Sequence, residues 1–271
     1  MAALEGGGHW YRRDGTPCHT VPRASGEGER STTVADARKL GLLPSVTTIL
    51  SIVDKPQLTR WRIVEALKLA RLVPPMDDES PEAYADRIIE RSTLESVTAA
   101  ADEGSLIHAA IEAHYRGQAV PVAYQPHVTA TVAAVSSAFP EVSDWVPEER
   151  VVSDFGYAGT VDLHSPSQGI VVDFKTKAFD HTDPRKLAFD QHKQLAAYAA
   201  ALWPDAVQPA RVANLFVSRT VPGHVLLHRW SDAQVLDGWE RFLRALELWV
   251  AEKRYDPREA LLMADALGEA A

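Results

Sequence analysis

Cysteine is nearly absent: Cys18 stands alone in 271 residues. That excludes an internal disulfide, and any four-cysteine zinc or iron–sulfur centre built from this chain. Long apolar runs are missing too, and none approaches the roughly 20 residues that span a bilayer. The start, MAALEGGGHWYRRDG, lacks the basic stretch followed by an apolar one that marks a signal peptide, so a reducing cytoplasm is the expected location. Basic residues are the scarcer charge, 28 against 37 acids, for a net charge of −9. Taken alone, that deficit argues against a nucleic-acid partner.

The deficit is uneven. Residues 77–103 hold nine acids and two bases, and residues 232–271 hold nine acids and five bases. Those stretches carry −7 and −4, so the rest of the chain is slightly positive. Within it, DKPQLTRWRIVEALKLAR (54–71) has five bases against two acids. A basic groove on an acidic body is compatible with this pattern, and so is a plain solvated helix face.

What is present is ordinary globular composition, 46% hydrophobic and 24% charged, in enough chain for a sizeable core. Residues 1–44 are rich in Gly, Arg, Ser and Thr and read as an extended arm with at most short strands. Pro44 and Ser45 open a helix that Pro56 closes, and a second helix follows over about 57–72. The pattern then predicts a long helical region over 81–117, broken near Gly104, and another helix over 125–139. From residue 141 the periodicity changes to two and predicts three strands. A helix of about 18 residues, two further strands and a helix from Ser231 to about Lys253 complete the pattern, before an acidic tail over 256–271. The expected fold is α/β: a helical part over 45–140, then a mixed central sheet flanked by helices over 141–255.

The hairpin GTVDLHSPSQGIVVDFKT (159–176) places charge inside good core material. A turn centred between Ser167 and Gln168 sets Asp162 directly opposite Asp173, on one face with Lys175, leaving Val161, Leu163, Val172 and Phe174 on the buried face. A one-residue slip would separate the two aspartates. Opposed carboxylates repel unless something neutralises them. A hard cation such as Mg²⁺ or Mn²⁺ would do so, and an ion pair between Asp173 and Lys175 accounts for the hairpin equally well.

Gly-Thr-Val-Asp followed by Asp-Phe-Lys-Thr resembles the core of the PD-(D/E)xK nucleases, specifically the RecB-like exonuclease branch. Three further elements occur in the order of that branch. GSLIHAAIEAHY supplies Gly104 and His108, QLAAY supplies Gln194 and Tyr198, and PSVTTIL precedes a helix bearing Trp61. The early elements are similar to those of phage and mitochondrial genome maintenance exonucleases, and the resemblance runs from about 44 to 250.

The resemblance implies a restriction-endonuclease-like fold and a metal-dependent DNA exonuclease. Asp162, Asp173, Lys175, Gln194 and Tyr198 are the expected catalytic residues, with His108, Asp162 and Asp173 holding Mg²⁺ or Mn²⁺. Lys175 would orient or deprotonate the attacking water, and Gln194 and Tyr198 would position the lysine or the phosphate. No iron–sulfur cluster is expected. Ser45, Thr47 and Thr48 at a helix start, with Lys177, Arg185 and Lys186, are candidate DNA contacts. The spacing sets Leu187 and Gln191 on the stripe of Gln194 and Tyr198. Trp61 reads as a core residue or as a stacking platform for an unpaired base. Glu112 and Glu149 are weaker candidates for outer positions around the metal. The expected partners are DNA and a single-strand annealing or recombination protein, with no membrane. The alternatives are a structure-specific or restriction-type endonuclease of the same fold, and a DNA-binding subunit without turnover.

Overall fold

The computed structural model describes residues 8–94, 99–206, 209–259 and 261. A mixed five-stranded sheet lies at its centre, in the order β5 (Val146–Ser153), β6 (Tyr157–Ser165), β7 (Ile170–Lys177), β8 (Arg211–Ser218), β9 (Val225–Arg229). β7 and β8 run parallel and the other pairs antiparallel. Parallel neighbours need a crossover, and here it contains α7 (His192–Leu202). α7 packs on one face of the sheet, with α8 (Asp232–Lys253) against it; α5 (Ala99–Tyr115) and α6 (Gln125–Ala138) pack on the other. Each face therefore has its own core. Val161, Val171, Leu195 and Phe242 belong to one, and Leu163, Val172, Phe174, Ile107 and Val135 to the other.

Local chemistry sets the element ends. Ser231 and Gln234 form a reciprocal capping box at the start of α8. Ser80 accepts from the Ala83 amide at the start of α4 (Pro81–Ser92), with Pro81 at the first helical position. Among the described residues, no helix is long and apolar enough to cross a membrane.

The first 44 residues depart from the expected arm. They contain α1 (Val34–Leu40), capped by Thr33 and ended by Gly41 at φ 61°. β1 (Trp10–Tyr11) pairs with β4 (Leu43–Pro44), and β2 (Thr20–Pro22) with β3 (Glu29–Ser31). Trp10 is buried beside Trp249 and Tyr255, so this segment is part of the core rather than an appendage. The acidic tail expected from 256 lies mostly outside the described residues, as do residues 1–7.

Two other boundaries shift, and one helix is less buried than its neighbour. α5 continues through Gly104, where a break was expected. A Cβ there would stand 2.6 Å from the Thr176 hydroxyl, so the glycine serves close approach of α5 to β7. The crossover helix begins only at His192, after a short 3-10 turn at Pro184–Lys186. The Gln191 side chain accepts from the Phe189 and Asp190 amides there, which holds the chain in a turn. Leu187 therefore precedes α7 and packs with Phe179 and Phe216 instead of joining the Gln194 stripe. Finally, α3 (Pro56–Ala70) buries none of its residues, although α2 (Val46–Leu50) before it is mostly core.

Candidate active site

The hairpin has the expected register, Leu163 opposite Val172 and Ser165 opposite Ile170. Its ladder stops one residue short of the aspartates. There the Asp162 carboxylate accepts the Phe174 amide at 2.7 Å, taking a place that a backbone carbonyl would otherwise fill. The neighbouring position on β5, Glu148, has φ 53°, a left-handed conformation uncommon for a non-glycine residue. Strand alternation breaks at this point. Val161 packs into the core beneath α7, whereas Leu163, two residues on, packs into the core beneath α5 and α6.

The two aspartates consequently do not share a face, contrary to the expectation from strict period two. Asp162 turns toward α5, where its Oδ2 lies 3.8 Å from His108 Nδ1. Asp173 turns toward α7 and is 1% exposed. Its Oδ1 accepts from Gln194 Nε2 at 3.2 Å and its Oδ2 from Asn214 Nδ2 at 2.7 Å. The Lys175 ammonium spans the carboxylate, 2.7 Å from each oxygen. Gln194 Nε2 also donates to the Tyr198 hydroxyl at 3.0 Å. Tyr198 is buried, and its ring sits where a side chain at Gly159 would collide with it at 2.6 Å.

Electrostatics follow from this packing. Burial pushes Asp173 up to about 6, against the pull of Lys175. Burial also opposes the Lys175 charge, but Asp173 and Asp162 together outweigh it and hold the ammonium above its ordinary value. Tyr198 is pushed far up, first by burial and then by the two carboxylates. Glu148 rises to about 7 through burial, with Asp162 and Glu112 adding repulsion.

Two openings meet at Thr176. One is an acidic cleft of about 540 Å³ containing His9, His108, Glu112, Glu148 and Asp162. The other is a cavity of about 490 Å³ between α3 and the sheet, lined by Thr47, Lys55, Trp61, Lys175, Lys177, Phe189, Gln194 and Arg219. The charges divide accordingly: the cleft collects carboxylates, and the cavity has four bases and Asp190 on its walls. Lys177 sits over the rings of Phe189 and Phe216 and donates to the Leu187 carbonyl, and burial lowers it to about 8.

The structure thus gathers Asp162, Asp173, Lys175, Gln194, Tyr198 and His108 around one strand end. It does not gather all the expected DNA contacts. Ser45 is buried and caps the Thr48 amide, while the Thr48 hydroxyl bonds Ser45 and the His9 backbone, so neither is available to a phosphate. Thr47 and Lys177 line the cavity; Arg185 is paired with Asp183 on the 3-10 turn and Lys186 is exposed beside it, neither on its wall. Trp61 is half-buried on the cavity wall and outside the core clusters. Glu149 points to solvent and Glu112 pairs with Arg116 at 2.7 Å.

Sequence reasoning missed Glu148 and Asn214. Glu149 stands out in the sequence only for its place just before RVVSDF, and the positive φ that turns Glu148 into the cleft leaves no mark in VPEERVVS. Asn214 did leave a signal, an amide in the middle of the apolar strand ARVANLFVS.

The donor set suits a hard divalent cation: oxygens of Asp162 and Asp173, with the imidazole of His108 beside them. Among the described residues no three His, Cys, Asp or Glu side chains already converge as a complete shell. Lys175 occupies Asp173 instead and must yield for both carboxylates to serve one ion. Among known proteins, no family model matches the chain and no curated sequence is significantly similar to it.

Proposed function

We propose that this chain is a metal-dependent deoxyribonuclease of the restriction-endonuclease-like fold that hydrolyses DNA from its ends. The observation that supports it best is the Asp162–Asp173–Lys175 group, set between an acidic cleft and a basic, aromatic-walled cavity. A hydrolytic phosphoryl site needs both kinds of surface, one for a cation and one for the phosphodiester.

Asp162, Asp173 and His108 would hold a Mg²⁺ or Mn²⁺ ion, which when bound would supply an acidified water and charge neutralisation. The remaining roles fall to side chains. In the metal-free fold Asp173 and Asp162 hold the Lys175 ammonium above its ordinary value. Beside both carboxylates, Lys175 orients or deprotonates the attacking water and steadies charge on the phosphate oxygens. Gln194 keeps Asp173 and Tyr198 in line. Lys55, Lys177 and Arg219 give the cavity a positive wall for the strand. DNA in recombination, repair or replication processing is the substrate class this reading implies, with a single-strand annealing or recombination protein as a partner.

The test is a Mg²⁺ and Mn²⁺ titration on end-labelled linear DNA beside covalently closed circles. Metal-dependent loss of linear DNA with circles spared supports the exonuclease. Nicking of closed circles moves the reading to an endonuclease of the same fold. Binding without cleavage under either metal moves it to a DNA-binding subunit.

A further inference from the structure

We infer that Asn214 is a positioning residue for Asp173, and that the Trp230 indole gives it this role; the cation concerned is that of the nuclease reading above. Asn214 lies at the centre of β8, fully buried, directly beside Asp173 in the parallel β7–β8 ladder. Its Nδ2 donates to Asp173 Oδ2 at 2.7 Å, and its Oδ1 accepts from Trp230 Nε1 at 2.8 Å.

The second bond fixes the meaning of the first. An indole N–H can only donate, so it selects the amide oxygen and turns the NH₂ toward the carboxylate. Trp230 is itself anchored, its amide bonded to the Val212 carbonyl and its ring packed on His192 and His228. A buried amide in an apolar strand is costly unless both its ends are satisfied, and here both are.

Asp173 has three donors, and they differ in freedom. Lys175 and Gln194 are partly exposed and line the cavity, so they can move aside. Asn214 has no solvent to move into. Once Lys175 and Gln194 have both moved aside, Asn214 still holds Oδ2, and Oδ1 is the oxygen offered to a cation. Asn214 thus decides which lone pairs of Asp173 point outward, without touching substrate.

The experiment compares wild type, Asn214→Leu, Trp230→Phe and the double variant. Metal-free protein is titrated with Mn²⁺ alone and free Mn²⁺ is counted by electron paramagnetic resonance; kcat and KM on linear DNA follow. Leu keeps the branched outline of Asn, with bulkier methyl ends, and removes both bonds. It is expected to weaken Mn²⁺ binding about tenfold or more and to lower kcat with KM for DNA unchanged, as loss of a partner behind a metal ligand does. Trp230→Phe keeps the ring but frees the amide to flip, so it shifts both quantities the same way by less. The double variant is expected to be no worse than Asn214→Leu, because the indole acts only through the amide. If Asn214→Leu does not fold, Trp230→Phe decides. Wild-type Mn²⁺ affinity in the folded variants, with wild type binding Mn²⁺ and cutting DNA, overturns this inference and leaves the nuclease reading standing. A wild type that neither binds Mn²⁺ nor cuts DNA overturns both.

Discussion

Asp173 is where structure most changes the expectation for a single residue. As one of two carboxylates facing each other, it would be a source of repulsion, and its removal would stabilise the metal-free protein. In the fold it instead collects Lys175, Gln194 and Asn214. Asp173→Ala strands those donors, and unsatisfied buried groups cost about 1–3 kcal/mol. The variant should therefore lose cleavage and also unfold at lower urea concentration in the presence of EDTA. The pH dependence has a definite sign. Asp173 is raised in the fold, so its protonated form binds the fold better, and its contribution is present below its unfolded value of about 4 and lost as pH climbs through about 6. Glu148 acts in the same direction up to about 7. Metal-free wild type should lose stability from pH 4 to 7 more steeply than Asp173→Asn, measured by urea midpoints. A cation needs the deprotonated carboxylates, so added Mg²⁺ should stabilise more at pH 7.5 than at pH 5.5.

Helix α5 reaches the site only because Gly104 lets it. In an exposed helix, Gly→Ala gains roughly 1 kcal/mol from propensity. At Gly104 the added methyl would meet the Thr176 hydroxyl at 2.6 Å on a β7 strand held from both sides. Overpacking of that kind costs about 1–3 kcal/mol. It also moves His108, one turn further along, away from Asp162. Gly104→Ala should thus lower the melting temperature and weaken Mn²⁺ binding together, where a surface glycine changed to alanine would do neither. The sequence carried this glycine's place in the site but suggested a helix break for it, because a lone glycine in a helical pattern carries the same local signal in both roles. The same limit explains the other departures. Capping chemistry was legible at Ser45 and Ser231, since it is written in neighbouring residues. The late start of α7 was not, since it depends on the Gln191 side chain folding back on the backbone. The hairpin register was legible from its turn. The break in alternation at Asp162 was not, because it arises from a side chain replacing a ladder bond and from the left-handed Glu148.

On the nuclease reading, it is the whole molecule, through its two openings and α3, that would set which DNA ends reach Lys175. The acidic cleft repels phosphate, so the strand must enter through the basic cavity. Its volume of about 490 Å³ is that of a small-molecule site and gives room for one or two unpaired bases beside Lys175. Trp61 and Phe189 give it aromatic surfaces, which hold unpaired bases at about 1–3 kcal/mol each. α3 forms its outer wall while burying none of its own residues, leaving Leu58, Ile63, Val64 and Leu67 exposed. On the nuclease reading, a duplex must therefore fray or carry an overhang before its end reaches the catalytic group. Linear DNA with single-stranded overhangs should be degraded faster than the same sequence with blunt ends. Trp61→Ala should raise KM for the overhang substrate about tenfold, with Trp61→Phe restoring most of it, because the ring rather than the indole N–H does the stacking. Equal rates on blunt and overhung ends, unaffected by Trp61→Ala, would mean that the strand reaches Lys175 by another route.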